Sequence, residues 1–333
     1  MTAKHFHLKL VFLAVGLLLL LAVSLFIGRY PSPFWMPPRL LLEDQLARRL
    51  VLKLRLPRAL TALILGMTLA AAGTVLQMVF RNPLVEPGFL GVTQGAAFGA
   101  ALSILWLSRH PLSIELAATV FGLFGLLASY WLSNRIRFGG WVLRLVLSGI
   151  AVSALFSAGV GVLKYLADPL TQLPEITFWL LGGLYSVTWR DLLYVLPFAV
   201  VGLTTVWLMR WRVNLLSLNE ETAFSLGASL SRERLILLVT IVSAAAALTA
   251  ISGIIGWVGL IVPHIARRTA GASAEKSIPV AMLLGGAFTL VSDNLARSLL
   301  AGEIPLGILT SAMGALLFIY LMMSMGMKVR QHE

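Results

Sequence analysis

The residue types that do chemistry are few in this sequence and lie far apart. Its five histidines, His5, His7, His110, His264 and His332, have no second metal ligand at a useful spacing inside an apolar run, and there is no cysteine. A disulfide framework and a thiolate metal or redox site are therefore excluded. No Gly-x4-Gly-Lys-Ser/Thr loop is present, so ATP is not bound by that phosphate cradle. Chains of buried Asp, Glu and His that would mark a proton relay are missing from the apolar runs. Asp293 is the clearest acidic residue within such a run, and Arg297 follows four residues on, the spacing of a helical ion pair. Arg55 and Arg58 sit three apart, so in a helix they share a face, a spacing suited to gripping a carboxylate. No catalytic set emerges, and the chain reads as a carrier or binder and not as an enzyme.

The elements that position these residues are dictated by composition. Of 333 residues, 59% are hydrophobic and 12% charged, and the mean hydropathy is +0.90. Soluble domains are about half apolar and about a quarter charged. Here the charges fall in short clusters between long apolar runs, so lipid is the solvent for most of the surface. A spanning helix needs about 20 mostly apolar residues. Such runs lie near 8–28, 57–80, 88–107, 113–133, 142–166, 191–209, 235–255, 278–300 and 305–327. A shorter stretch, 256–266, carries Pro263 and decides whether there are nine spans or ten.

Positive charge settles the parity. With ten spans and a cytoplasmic N-terminus (Lys4, Lys9), four clusters all fall inside: Arg135/Arg137/Arg144, Arg210/Arg212/Arg232/Arg234, Arg267/Arg268/Lys276 and Lys328/Arg330. The expectation is an all-α, polytopic membrane protein of about ten transmembrane helices, one domain over 1–333, with both termini cytoplasmic. The net charge of +12 then reflects cytoplasmic loops and gives no reason to expect nucleic acid. The first run exceeds the usual apolar core of a signal peptide, about 7–15 residues, and reads as an uncleaved span.

One segment opposes the charge rule. Residues 29–56 are external by this parity, yet carry Arg29, Arg39, Arg48, Arg49, Lys53 and Arg55 against Glu43 and Asp44. An acidic partner or anionic substrate would hold them there; so would an amphipathic helix over 40–54 lying on the membrane surface. Gly91, Gly95 and Gly99 recur every four residues and predict a flat helix face for close packing, as do Ala244–Ala247 and Gly285–Gly286. Gly73 to Pro83 and Gly253 to Pro263 share a ten-residue spacing five spans apart, which suggests inverted repeats. The cytoplasmic loop 213–234 predicts a short helix: Asn219 at its cap, Glu220 and Glu221 in its first turn, Gly227 at its end.

The stretches "LRLPR", "FRNPLVEPGFLGVTQGAAFG", "SLNEETAFSLG", "GIIGWVGLIVPHIARR" and "DNLARSLLAGEIPLGILTSAMGALLFIYLM" resemble the iron-siderophore, haem and cobalamin permeases of type II ABC importers. The likeness runs in order from about Leu54 to Leu321. It implies a homodimer in the bacterial inner membrane, bound to two ATP-binding subunits that use ATP and Mg, with a substrate-binding protein docking outside. No cofactor is implied for this chain itself. Arg55, Arg58 and Arg297 match the positions that receive acidic residues of the binding protein. Leu218, Glu220, Glu221, Phe224, Leu226 and Gly227 match the loop helix that seats in the ATPase. The fifth and tenth spans would line the pathway, offering Lys164, Tyr165, Thr310, Ser311 and Met313. Lys164 could meet an anionic ligand or snorkel to the interface. Residues 172–184 look like a short external helix at the mouth. The cargo implied is a metal chelate such as a ferric siderophore or haem, with cobalamin or an oxyanion such as molybdate as alternatives. A stand-alone secondary transporter is the reading from another class.

Overall fold

A computed structural model describes the backbone of residues 3–329 and the side chains of 5–323. Lys4, Lys328, Arg330 and His332, used above for charge and metal spacing, have side chains outside the described residues. The helices are α1 (Ala3–Ser24), α2 (Leu40–Glu43), α3 (Gln45–Leu50), α4 (Leu56–Val79), α5 (Val92–Leu102), α6 (Pro111–Arg135), α7 (Trp141–Leu166), α8 (Gln172–Leu181), α9 (Trp189–Leu216), α10 (Glu220–Ser225), α11 (Leu230–Ser252), α12 (Val258–Ala270), α13 (Ala274–Ser298) and α14 (Leu306–Val329). A π-helical stretch, Val51–Arg55, joins α3 to α4 into one rod over Gln45–Val79, and another, Ser103–Leu107, extends α5. A two-stranded hairpin, β1 (Ile27–Gly28) with β2 (Phe34–Trp35), follows α1.

Hydrogen bonds at the helix ends fix which ends share a face. At one face Lys9 donates to the Thr269 carbonyl (2.6 Å), Arg81 to Asn219 (2.9 Å), and the Ala274 N–H to Asn214 (2.7 Å). At the other, Asn294 donates to Ser24 (2.7 Å), Trp189 to the Leu52 carbonyl (2.8 Å) and Arg109 to Thr171 (3.3 Å). Among the described residues the chain therefore passes between the faces ten times, through α1, α3–α4, α5, α6, α7, α9, α11, α12, α13 and α14. Eight of these are long and apolar enough to span by themselves. The two short ones are α5 with its π-helical extension and α12. At 13 residues α12 is about 20 Å long, and the non-helical stretch 253–257 completes its crossing. Residues 256–266 thus begin a pass of their own, and ten is the parity.

Small residues set the centre of the bundle. A Cβ built on Gly73 would lie 1.8 Å from the Gly259 carbonyl oxygen, so α4 and α12 touch backbone to backbone. The glycine strip behaves as its spacing predicts: a Cβ on Gly95 or Gly99 would come within 2.3 Å of the α6 carbonyls of Phe121 and Ala117. Ala244–Ala247 are all buried. Buried hydroxyls return to carbonyls, as from Thr74 to Ala70 (2.7 Å) and from Thr289 to Ala62 (2.6 Å), because no water is there to satisfy them. By contrast α7 and α14 expose Leu155, Val162, Leu316, Ile319 and Tyr320.

The packing repeats. α4 lies on α13 as α11 lies on α6, and α5 contacts α6 and α7 as α12 contacts α13 and α14. Passes two to five and seven to ten are therefore inverted copies, five passes apart. The Gly–Pro spacing does not mark their register, however. Gly73 is inside α4, whereas Gly253, at φ +65°, ends α11.

Candidate docking, coupling and pathway sites

The three arginines expected at the external face come together around carboxylates of the chain itself. Arg58, in the first turn of α4, is 8% exposed. Its Nε donates to Asp293 (2.8 Å) and its Nη1 to both oxygens of Glu303 (2.9 Å). Asp293 is fully buried; besides Arg58 it faces Arg297 at 3.7 Å, the i, i+4 pair expected from spacing. Arg297 also donates to Asn294 and to the Ser24 carbonyl. Arg55 is half-buried at the end of the π-helical turn, and donates to the Leu25 (3.1 Å) and Tyr30 (3.4 Å) carbonyls. All three line one cavity of about 320 Å³ with Arg29, Tyr185 and Glu303. Glu303 was not singled out from sequence: it lies 245 positions from Arg58 and only the fold joins them.

The flanking segment 29–55 is ordered by Asp44. Its side chain caps α3 through the Leu46 N–H (2.8 Å) and accepts from the Tyr30 hydroxyl (2.5 Å). These two donors hold its carboxyl below the usual range, the Tyr30 bond first. Arg39, Arg48, Arg49 and Lys53 are exposed beside an equally exposed Leu42, Leu46 and Leu52, so the amphipathic character expected over 40–54 is present.

At the opposite face, the one expected to be cytoplasmic, the loop helix is α10. Asn219 takes the N-cap position, but its side chain accepts from Arg81 and leaves the cap unbonded. Gly227, at φ +80°, ends the helix as only glycine does without strain. Ala223 is buried, whereas Leu218, Phe224 and Leu226 face outward, Phe224 76% exposed. A six-residue helix thus presents an apolar knob flanked by the exposed Glu220 and Glu221. Its seating is fixed from behind by Arg234 to Glu220 (2.8 Å), beside Arg212 to Glu233 (2.8 Å). Nearby, Arg267 donates to Gln77 (2.6 Å) and His264 pairs with the Pro83 carbonyl (3.1 Å), which locks the turn after α4.

The five residues expected along the pathway divide. Tyr165 is fully outward at 88% exposure, and Lys164 and Ser311 are half-buried on α7 and α14. Thr310 is buried and donates within its own helix to Gly307 (3.2 Å), and Met313 receives Ser292 of α13 (3.5 Å). Met313 thus faces the ninth pass, α13, and the Thr310 hydroxyl is satisfied inside α14. A cavity that sequence reasoning missed, about 400 Å³, opens between α4, α7, α11 and the stretch 254–259. Glu86, Thr93, Gln94, Ser153 and Thr249 give it polar groups, and the Glu86 carboxylate accepts the Trp257 N–H at the start of α12. Two further carboxylates, which sequence reading did not single out, are buried at the starts of α6 and α9: Glu115 and Asp191. Both pair with Arg190, at 3.4 and 2.8 Å. The two carboxylates thus share a single cation. The mouth helix expected over 172–184 is α8, which leads through Gly182 into a bond from Gly183 to the end of α11 (2.7 Å).

A family model described as the FecCD transport family matches residues 16–324. The molybdate import system permease protein MolB of Haemophilus influenzae is 40% identical over 315 residues, covering 91% of this chain and 93% of that one. The hemin transport system permease protein HmuU of Yersinia pestis is 38% identical over 280 residues, 82% of each chain. Among solved structures, one described as a metal-chelate type ABC transporter in an inward-facing conformation superposes with a TM-score of 0.88 at 38% identity. That match covers 95% of this chain and 99% of the other.

Proposed function

The chain belongs to the FecCD transport family, and from that premise we propose that it is the membrane-spanning permease subunit of an ATP-driven importer of metal chelates, either ferric siderophore or haem. It is a multi-pass membrane protein and a transport subunit without chemistry of its own. Two copies would form the pathway between their exposed α7 and α14 faces, with Lys164, Tyr165 and Ser311 nearest to it. Two separate ATPases would supply the energy, using ATP and Mg, through the knob of Leu218, Glu220, Glu221, Phe224, Leu226 and Gly227. An external binding protein would deliver cargo by placing carboxylates at Arg55, Arg58 and Arg297. The observation that carries this reading is the polarity of the bundle: an arginine-lined cavity at one face and an exposed apolar helix at the other, joined by ten passes. A switch of this kind needs a partner that binds its two states differently, and only the ATPase binds ATP.

A second reading, an oxyanion importer, is favoured by the 40% identity to MolB. The deciding experiment is transport in proteoliposomes containing the permease, its ATPase and its binding protein. ATP-dependent uptake of a ferric siderophore or haem supports the first reading, and uptake of molybdate alone supports the second. Uptake without ATP or ATPase would make the chain a secondary transporter and remove both.

A further inference from the structure

Behind the α10 knob lies a cavity of about 290 Å³ that none of the roles above uses. It is walled by Tyr130 and Asn134 of α6, Trp141 and Arg144 of α7, Ser231 and Arg234 of α11, and Glu220 of α10. Arg234 is 6% exposed, and its guanidinium lies over the Trp141 ring at 4.6 Å. A guanidinium carries five N–H donors. Arg144 gives one to a protein acceptor, the Ile136 carbonyl (3.1 Å), and Arg234 one, to Glu220 (2.8 Å). The Nε of each is buried with no acceptor at all. Two cations therefore line this cavity against one carboxylate, and among the described residues the buried Nε of each has no acceptor. Burying charge and donors without partners is costly, and an anion bridging both guanidinia removes that cost.

We propose that this cavity is a cytoplasmic oxyanion site, in which Arg144 and Arg234 hold a small tetrahedral anion of the phosphate, sulfate or molybdate class. Such an anion has oxygens enough to accept from both guanidinia at once, and the cavity exceeds its volume several-fold, leaving room for water. Glu220 already accepts from Arg234, so the anion competes with it. Displacing Glu220 frees the first residue of α10 from α11. Anion binding and the position of the knob are therefore linked, each opposing the other. The effect on ATPase contact rests on the coupling role proposed above; the binding does not.

The test uses the full-length permease alone in phosphatidylcholine nanodiscs, with equilibrium dialysis of labelled phosphate, sulfate and molybdate. One saturable site per chain is expected for at least one of the three. Arg144→Gln should weaken it about tenfold or more, the loss of a charge-assisted donor pair. Glu220→Gln should tighten it several-fold, because the competitor no longer carries charge. Tightest binding of phosphate would identify a metabolic anion as the ligand, and tightest binding of molybdate a transported one. No saturable binding at millimolar anion, or equal affinity in wild type and Arg144→Gln, overturns the site. If Arg144→Gln does not fold, an unchanged affinity in Glu220→Gln overturns it instead. Failure of the ATPase to co-purify would sink the coupling role while leaving this binding standing.

Discussion

Arg58 makes its hydrogen bonds to two carboxylates of very different standing. Asp293 is buried; without Arg58 it keeps only Arg297, at 3.7 Å, and a glutamate in place of Arg58 would set a second carboxylate beside it, a loss of about 3–5 kcal/mol. Glu303 has a side chain 45% exposed, and a pair so open to solvent contributes about 1 kcal/mol or less. Arg58→Glu should therefore unfold or strongly destabilise the subunit, measured as a large drop in thermal midpoint in detergent. Loss of transport in that variant would say nothing about docking. Glu303→Gln is the informative change. It should leave the midpoint nearly unchanged and raise the affinity for the binding protein, because a carboxylate from outside no longer competes with Glu303 for the Arg58 fork. An affinity that falls or stays constant would remove Arg58 from the docking surface. Arg55, half-buried and bonded among the described residues to backbone carbonyls and the Met36 sulfur, is the arginine whose reversal to Glu tests docking without stranding a buried acid.

The loop helix α10 is an element whose outline is written locally. Asn219, the two glutamates and Gly227 are turn and cap chemistry within nine residues, which is why the helix was legible before the fold was known. The glycine strip of α5 was legible for the same reason, as a period on one face. What was not legible depends on distant partners. Asn219 serves Arg81 instead of its own helix, Met313 meets Ser292 of α13, and Glu303 and Glu86 acquire roles only when remote segments meet. The repeat register misled because Gly and Pro are frequent in membrane helices and their spacing carries no record of which turn they occupy. The knob itself makes a clear prediction. Phe224 is largely exposed, so Phe224→Ala should leave permease stability unchanged while cutting ATPase affinity about thirtyfold, the lower bound for an aromatic hot spot. Gly227→Pro should do more. Proline cannot reach φ +80° and cannot give the N–H that Gly227 donates to Phe224 (2.9 Å), so the helix loses its end. Co-purification of the ATPase at wild-type yield with both variants would refute the coupling assignment.

For the molecule as a whole, everything rests on which face is which, and the absence of cysteine makes that measurable. A single introduced cysteine reports one position against no background. Arg109 is exposed beside Thr171 and Glu175 at the face expected to be external, and Arg135 is exposed at the opposite end of α6 over Trp131. A membrane-impermeant maleimide should label Arg109→Cys in intact cells, and Arg135→Cys only once the membrane is opened. The reverse pattern would invert the protein and place the arginine cavity in the cytoplasm. Labelling of both from outside would deny α6 its crossing. A third position decides between nine passes and ten. Ala272 is exposed in the turn between α12 and α13, and Lys9 on α1 reaches back to Thr269 beside it. If α12 with the stretch before it crosses, Ala272→Cys shares the protected side with Arg135→Cys. If α12 merely dips and returns, Ala272→Cys is labelled from outside. The two inverted halves would then no longer match, because the second would lack the counterpart of α5. Protection at 272 is expected, since the positive charges of Arg267, Arg268 and Lys276 would otherwise be carried to the external side, against the charge rule that the clusters at 135–144 and 210–234 obey.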